Sequence, residues 1–104
     1  MSVQDQIKQQ IAASNIVLYM KGNKEMPMCG FSARAVNILK SCGAEFTTVN
    51  VLEDEAIRDG IKVFSNWPTI PQLYVKGEFI GGSDIMAEMV ETGELQGLIK
   101  KAQE

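Results

Sequence analysis

Residues 16–32, IVLYMKGNKEMPMCGFS, decide the fold of this chain, because they lead from a strand through a loop into a helix. Residues 16–20 are a short apolar run of strand-forming type. Residues 21–28 are polar and contain glycine and proline, which predicts a loop. From Gly30 the apolar spacing becomes helical. Cys29 therefore lies at a junction between strand, loop and helix.

The segments outside this stretch also alternate between helical and strand patterns. Apolar residues at four-residue spacing predict an amphipathic helix over residues 3–13. The helix from Gly30 ends where Gly43 follows Cys42, a common helix stop. Its buried face is expected to contain Phe31, Ala35, Ile38 and Leu39. Further helices are predicted over residues 53–64, 85–91 and from Gly93 to about residue 101, and strands over residues 46–51, 72–75 and 78–80.

The order of these elements predicts an α/β fold. Two early strands joined through a helix imply a parallel pair with a right-handed crossover. The two late strands flank Lys76-Gly77, which is typical of a hairpin. We therefore expect a four-stranded mixed sheet with helices on both faces. Residues 1–104 would form one domain, since the chain contains no repeat or linker.

Composition excludes several classes of function. The chain has no histidine, which removes histidine-based nucleophile pairs and zinc sites. Its net charge of −3 argues against a nucleic-acid surface. No apolar run is long enough to cross a membrane, and the N-terminal residues do not resemble a targeting peptide. Two cysteines are too few for a disulfide framework, so we expect a cytoplasmic protein.

Cys29 is the candidate reactive residue. The unpaired amides and positive dipole end at a helix start favour an anionic thiolate. A thiolate is what both disulfide exchange and metal ligation require. An inert buried cysteine is the alternative interpretation. The loop-to-helix placement, with Gly30 permitting close backbone approach, favours the reactive thiol.

Cys29 has no evident partner thiol in its own chain. The residue three positions on is Ser32, so a local disulfide cannot form. Cys42 lies near the far end of the same helix, where the rise of ~1.5 Å per residue puts the sulfurs roughly 15 Å or more apart. That separation exceeds disulfide reach, and Cys42 is interpreted as a packing residue.

Four motifs occur in the order and spacing of one known family: Lys21-Gly22, CGFS at residues 29–32, WPTIP at residues 67–71 and GGSD at residues 81–84. Together they resemble the monothiol glutaredoxins of the CGFS type, in the bacterial or organellar single-domain form. The resemblance covers essentially the whole chain. It implies a thioredoxin-like fold, in agreement with the architecture predicted above.

The resemblance implies a glutathione groove beside Cys29. Lys21 and Arg58 match family contacts to glutathione carboxylates, although each alone reads as a solvated surface charge. Thr69, Ile70 and Pro71 match the loop that faces the cysteine, with Pro71 in the cis form and the Ile70 main chain pairing with the cysteinyl unit. A trans proline that simply ends a helix is the alternative. Gly82, Ser83 and Asp84 match the start of a helix that receives the γ-glutamyl end.

Three further predictions concern residues near this groove. Asp84 is expected to be the N-cap of the helix over residues 85–91, a role compatible with binding the glutathione ammonium. Trp67 is interpreted either as core or as groove wall. Lys62 is a further candidate for the groove, from its helix position alone.

Two features depart from related proteins. Many relatives carry cysteine where this chain has Ser83, so a disulfide between that position and Cys29 is excluded here. The stretch over residues 23–28 makes the loop before Cys29 longer than in dithiol glutaredoxins. In the family this longer loop accompanies weak activity in ordinary thiol-transfer assays.

The resemblance implies two functions that use the same cysteine. A 2Fe–2S cluster needs four thiolates, and the family solution is a homodimer in which each subunit gives one cysteine and one glutathione. Such a cluster suits delivery to acceptor proteins, and family members also pair with BolA-like proteins. The alternative is a weak glutathione-dependent oxidoreductase with Cys29 as nucleophile. An interaction module without a thiol role is disfavoured by the placement of Cys29.

Overall fold

The helices and strands follow one another in the predicted order. A computed structural model describes residues 2–104 of the chain. Several element ends differ from the predicted ones by one or two residues, as is usual for helix termini. The elements are α1 (Val3–Ala12), β1 (Ile16–Met20), α2 (Gly30–Ser41), β2 (Thr47–Asn50), α3 (Glu55–Ser65), β3 (Gln72–Val75), β4 (Glu78–Gly81), α4 (Ser83–Thr92) and α5 (Glu94–Ala102).

The four strands form one mixed sheet in the order β2-β1-β3-β4. Strand β1 pairs in parallel with β2 and antiparallel with β3, so that Leu18 lies opposite both Thr48 and Leu73. Strands β3 and β4 form the predicted hairpin around Lys76-Gly77. Helix α2 connects the parallel pair. The predicted α/β architecture is therefore confirmed.

Strand β1 lies at the centre and is covered on both faces. Alternate side chains of a strand point to opposite faces of a sheet, and all five β1 residues are buried. Ile16, Leu18 and Met20 belong to a core formed with α2, α4 and α5. Val17 and Tyr19 belong to a second core formed with α1 and α3. This double burial explains why β1 is a continuous apolar run.

The buried face of α2 shares only two of its four residues, Ala35 and Leu39, with the predicted face. Phe31 is 61% exposed, so its assignment to the core was wrong. The face in contact with the sheet contains Ser32, Ala35, Val36 and Leu39, and Ile38 is only partly buried. These four residues satisfy helical spacing as well as the predicted set does. The prediction was misled because Phe31 is apolar but exposed, whereas the neighbouring Ser32 is polar but buried.

The N-terminus of α4 also corrects a prediction. Gly82, and not Asp84, is the N-cap, because the helix begins at Ser83. Asp84 lies within the first turn. Its carboxylate is 3.1 Å from Nη1 of Arg34 on α2. The turn through Gly81-Gly82 starts the helix, so no side-chain cap is formed.

Candidate active site around Cys29

Cys29 is the N-cap residue of α2. Its backbone is extended, with φ −155° and ψ 140°, and the helix begins at Gly30. The first-turn N–H groups of a helix have no partner within the helix. The sulfur of Cys29 is partly exposed and close to two of these groups. The predicted placement of Cys29 at the helix start is confirmed.

The local backbone lowers the pKa of the Cys29 thiol below its usual value. The largest cause is the backbone N–H of Ser32, followed by that of Phe31, both of which donate to the sulfur. The charge of Lys21 and the Ser32 hydroxyl act in the same direction, while partial burial opposes them. These groups favour the thiolate because they stabilise its negative charge.

Ser32 has a structural function that its sequence position did not reveal. Its side chain is fully buried, and its Oγ accepts a hydrogen bond from the backbone N–H of Lys21 at 3.1 Å. The same residue donates its own backbone N–H to Cys29. Ser32 thus links the end of β1 to the thiol. Its position in the sequence indicates only that no second cysteine stands three residues after Cys29.

The loop before Cys29 folds back on its own start. The Met28 N–H donates to the Lys21 carbonyl at 2.8 Å, and Gly22 forms an isolated bridge with Pro27. The Gly22 N–H donates to Oδ1 of Asn50 at 3.0 Å. These bonds fix the loop between β1 and α2. They hold Cys29 close to the carboxyl end of β1.

Lys24 attaches the tip of this loop to the rest of the protein. Its ammonium donates to the Phe46 carbonyl at 2.8 Å and lies 4.9 Å from the centre of the Phe46 ring. The second contact has the geometry of a cation–π interaction. The long loop over residues 23–28 is therefore ordered by specific contacts.

A groove of about 390 Å³ opens beside Cys29. It lies between the start of α2, the segment before β3 and the start of α4, with α3 contributing one residue. Ser83 is buried there. Its lining residues are Lys21, Cys29, Phe31, Lys62, Trp67, Pro68, Thr69, Ile70, Pro71, Gly82, Ser83, Asp84 and Ile85.

The groove brings together eight of the nine residues that the sequence singled out for the site. Arg58 is the exception: it is half-buried on α3 and does not line the groove. Lys62, four residues further along α3, does line it. The Ile70–Pro71 peptide bond is cis, as predicted.

Two aromatic side chains form much of the groove wall. Trp67 is 37% exposed, lines the groove and packs against Phe79 with ring centres 5.9 Å apart. Of the two interpretations offered by the sequence, groove wall is the one that the structure supports. Phe31, which was predicted to be core, lines the groove as well.

The charged groups of the groove differ in sign. Lys21 and Lys62 supply two cations, and Asp84 supplies a carboxylate. Asp84 is itself paired with Arg34, which is also exposed. A ligand with two carboxylates and one ammonium group would find an opposite charge for each.

Cys42 lies at the other end of α2, where it is the C-cap residue. It is partly buried, packs against the core beneath α2 and forms no disulfide. Within residues 2–104, no group of three or more histidine, cysteine, aspartate or glutamate side chains could hold a metal ion. Over the same residues, none of the helices has the length and apolar character needed to span a membrane.

The fold and this site define a thioredoxin-like protein with one active-site cysteine. Residues 16–80 match the Glutaredoxin family. The sequence is 54% identical over 96 residues to the monothiol glutaredoxin ycf64-like of Synechocystis sp., with 92% of this chain and 90% of the relative aligned. The chain therefore belongs to the glutaredoxin family and is of its monothiol type.

Two further relatives agree with this assignment. Glutaredoxin 4 of Escherichia coli is 50% identical over 97 residues, which cover 93% of this chain and 84% of that protein. The solution structure of reduced apo GrxS14 from poplar has 48% identity and a TM-score of 0.85, covering 97% of this chain and 93% of that one. The thioredoxin-like fold expected from the sequence is thus confirmed.

Proposed function

We propose that this chain binds glutathione beside Cys29 and that two chains hold a 2Fe–2S cluster between them for delivery to acceptor proteins. The observation that carries this proposal is a thiol of lowered pKa at the edge of a groove with complementary charges. Glutathione has two carboxylates, one ammonium group and a thiol. Each of these groups can be given a partner among the residues of the groove.

The carboxylate of the glycine end is assigned to the cations. Lys21 and Lys62 line the groove and are available for it. Arg58 is proposed as an additional contact, because residues four apart lie on the same side of a helix and its side chain is long. The Ile70 backbone would pair with the cysteinyl unit of the ligand.

The γ-glutamyl end is assigned to the start of α4. Helix N-termini bind carboxylates through their free N–H groups, and Ser83 and Asp84 form the first turn. The Asp84 side chain would accept from the ammonium group. This arrangement would bring the glutathione sulfur next to the sulfur of Cys29.

A cluster at Cys29 needs ligands from outside the chain. A 2Fe–2S cluster is held by four ligands, and Cys42 lies at the far end of α2. Cys29 and one glutathione thiolate from each of two chains would complete the set. The lowered pKa of Cys29 suits a ligand thiolate. When bound, the cluster would supply iron and sulfide to an acceptor protein.

The same thiol supports a second function, reduction of protein–glutathione disulfides. The Cys29 thiolate would attack the glutathione sulfur, form a mixed disulfide and release the protein thiolate. A second glutathione thiolate would then attack that disulfide, releasing Cys29 and oxidised glutathione. This external thiol is required because Ser32 stands where a second cysteine would be, so that no local disulfide can form with Cys29.

Anaerobic reconstitution with iron, sulfide and glutathione tests the proposal. The wild-type protein should become coloured and dimeric, as measured by visible absorption and mass. Cys29→Ser, and wild type without glutathione, should remain colourless and monomeric. Cys42→Ser should behave as the wild type does. A colourless wild-type monomer that rapidly reduces glutathione disulfides would favour the second function instead.

A further inference from the structure

A fully buried carboxamide lies directly behind the groove wall. Gln72 is the first residue of β3, pairs with Tyr19 of β1 and has no exposed surface. Burying an amide is unfavourable unless each of its polar atoms forms hydrogen bonds. Its position directly after the WPTIP motif, at the start of a strand, indicates no role, since glutamine at a strand start is normally exposed.

Both polar atoms of this carboxamide form hydrogen bonds. Nε2 of Gln72 donates to the carbonyl of Trp67 at 3.2 Å and to that of Thr69 at 3.1 Å. Its Oε1 accepts from the Tyr74 hydroxyl at 3.0 Å. The two carbonyls can only accept, so the orientation of the amide is fixed. Burial raises the pKa of Tyr74 to about 12, which keeps its hydroxyl protonated.

The two carbonyls belong to residues of the groove wall. Trp67 and Thr69 both line the groove. The segment between α3 and β3 has no regular secondary structure, and Pro68 and Pro71 have no N–H group to donate. The Gln72 side chain therefore supplies hydrogen bonds that the backbone of this segment lacks.

The wall has little room to move toward the other side of the groove. A side-chain carbon added at Gly82 would lie 3.2 Å from the Pro71 carbonyl and 3.9 Å from the Trp67 indole nitrogen. A small displacement of the wall would thus change the shape of the groove. Cys29 lies at the start of α2, and its thiolate is stabilised by separate groups.

We propose that Gln72 is a positioning residue for glutathione: its carboxamide holds the wall formed by Trp67 and Thr69 in the shape that the ligand requires. This inference rests on the proposed binding of glutathione. Loss of the carboxamide should lower the rates of reactions in which the reagent binds in the groove. It should not change the intrinsic reactivity of Cys29.

The test compares two reagents that attack the same thiolate. Oxidised glutathione forms a mixed disulfide with Cys29 and releases a glutathione thiolate, and this reaction uses the groove. Iodoacetamide alkylates the thiolate without needing the groove. The ratio of the two rate constants cancels the fraction of thiolate present. In Gln72→Met, which keeps the side-chain length, this ratio should fall about tenfold, consistent with loss of two hydrogen bonds.

Gln72→Glu adds a readout that a purely structural role would not give. An ionised carboxylate cannot donate to the two carbonyls, whereas a protonated one can donate to one of them. Burial raises the pKa of a carboxyl group, so the protonated form should appear between about pH 8 and about pH 5. The rate ratio of this variant should rise as pH falls, while that of the wild type stays constant.

The outcomes separate this inference from the function on which it rests. If the wild type reacts no faster with oxidised glutathione than with bis(2-hydroxyethyl) disulfide, the proposed glutathione site is wrong, and so is this inference. If the wild type shows the preference and folded Gln72→Met shows it equally, only the inference is overturned. If Gln72→Met does not fold, Tyr74→Phe decides: a fall of about twofold is expected, and an unchanged ratio refutes the proposal.

Discussion

Helix α2 has a cysteine at each end, and the two thiols lie in opposite surroundings. Cys29 at the N-terminal end receives hydrogen bonds from the backbone N–H groups of Ser32 and Phe31. Cys42 at the C-terminal end packs against the apolar core, and its backbone N–H donates to the Ile38 carbonyl. Cys29 lines the groove described above, and Cys42 is not among the residues that line it.

The difference shows that the residue type alone does not make a reactive site. A helix presents N–H donors at its start and carbonyl oxygens at its end, so only the start stabilises a nearby anion. The loop from Lys21 to Met28 adds a cation and brings the groove to the same end. Reactivity thus follows from position along the helix and from the neighbouring loop.

The largest expected effect comes from removing each thiol in turn. Cys29→Ser should abolish the adduct formed with oxidised glutathione, because Cys42 does not adjoin the groove. Cys42→Ser should keep the wild-type rate. Mass spectrometry of the intact protein measures both. A Cys29–Cys42 disulfide in the oxidised wild type would contradict the geometry, since the helix separates the two by roughly 20 Å.

The second-largest effect is expected on stability, at one glycine in the loop before Cys29 and one directly after Cys42. Gly22 has φ +89°, and a side-chain carbon there would collide with the Met26 carbonyl and lie 2.7 Å from the Met28 nitrogen. Gly22→Ala combines backbone strain with overpacking and should lower the free energy of unfolding by about 3 kcal/mol. Denaturation by urea measures the change.

Gly43→Ala is the matched control at the other end of α2. Gly43 also has a positive φ, +71°, but no atom lies within 4 Å of the added carbon. Backbone strain alone should lower the free energy of unfolding by about 1 kcal/mol. Equal losses in the two variants would mean that the loop before Cys29 is not closely packed.

A smaller effect is expected on the pH dependence of Cys29 alkylation at the N-terminal end of α2. Because the pKa of Cys29 lies below the usual thiol range, its alkylation rate should stay high at pH values where an ordinary thiol is protonated. The rate should fall as pH decreases through that lowered pKa. Ser32→Ala removes the hydroxyl that also stabilises the thiolate, so the inflection should move to higher pH.

Ser41→Ala is the corresponding control near Cys42. The Ser41 hydroxyl donates to the Ile38 carbonyl at 2.7 Å, away from Cys29. Its removal should leave the inflection of Cys29 alkylation unchanged. Rates with iodoacetamide over a range of pH, measured in the Cys42→Ser background, give both profiles. An inflection unmoved by Ser32→Ala would assign the stabilisation to the backbone N–H groups and to Lys21, without the Ser32 hydroxyl.

Much of the fold could be predicted from the sequence because its signals are local and repeated. The apolar run of β1, the helical spacing from Gly30 and the hairpin at Lys76-Gly77 each fix one element. Asp84 shows the limit of such signals. It is a favourable N-cap residue, but the Gly81-Gly82 turn starts α4 two residues earlier than predicted.

The parts of the site that sequence reasoning left open or missed depend on contacts between distant segments. Arg58 and Lys62 share one side of α3, and periodicity cannot say which turn of the helix reaches the groove. Ser32 and Gln72 are polar residues in buried positions. Their roles follow from partners on other segments, which single-sequence patterns do not report.

The smallest expected effect comes from the exposed cations of α2. Arg34, near its start, is 3.1 Å from Asp84, and both side chains are exposed. Exposed ion pairs contribute little, so Arg34→Gln should change the free energy of unfolding by less than about 0.5 kcal/mol. Lys40→Gln near Cys42 should have an equally small effect, since the contact of its ammonium with the Lys24 carbonyl is long, 3.4 Å, and exposed. A much larger loss in Arg34→Gln, measured by urea denaturation, would mean that this pair fixes α2 to α4. The N-terminal end would then differ from the C-terminal end in stability as well as in thiol chemistry.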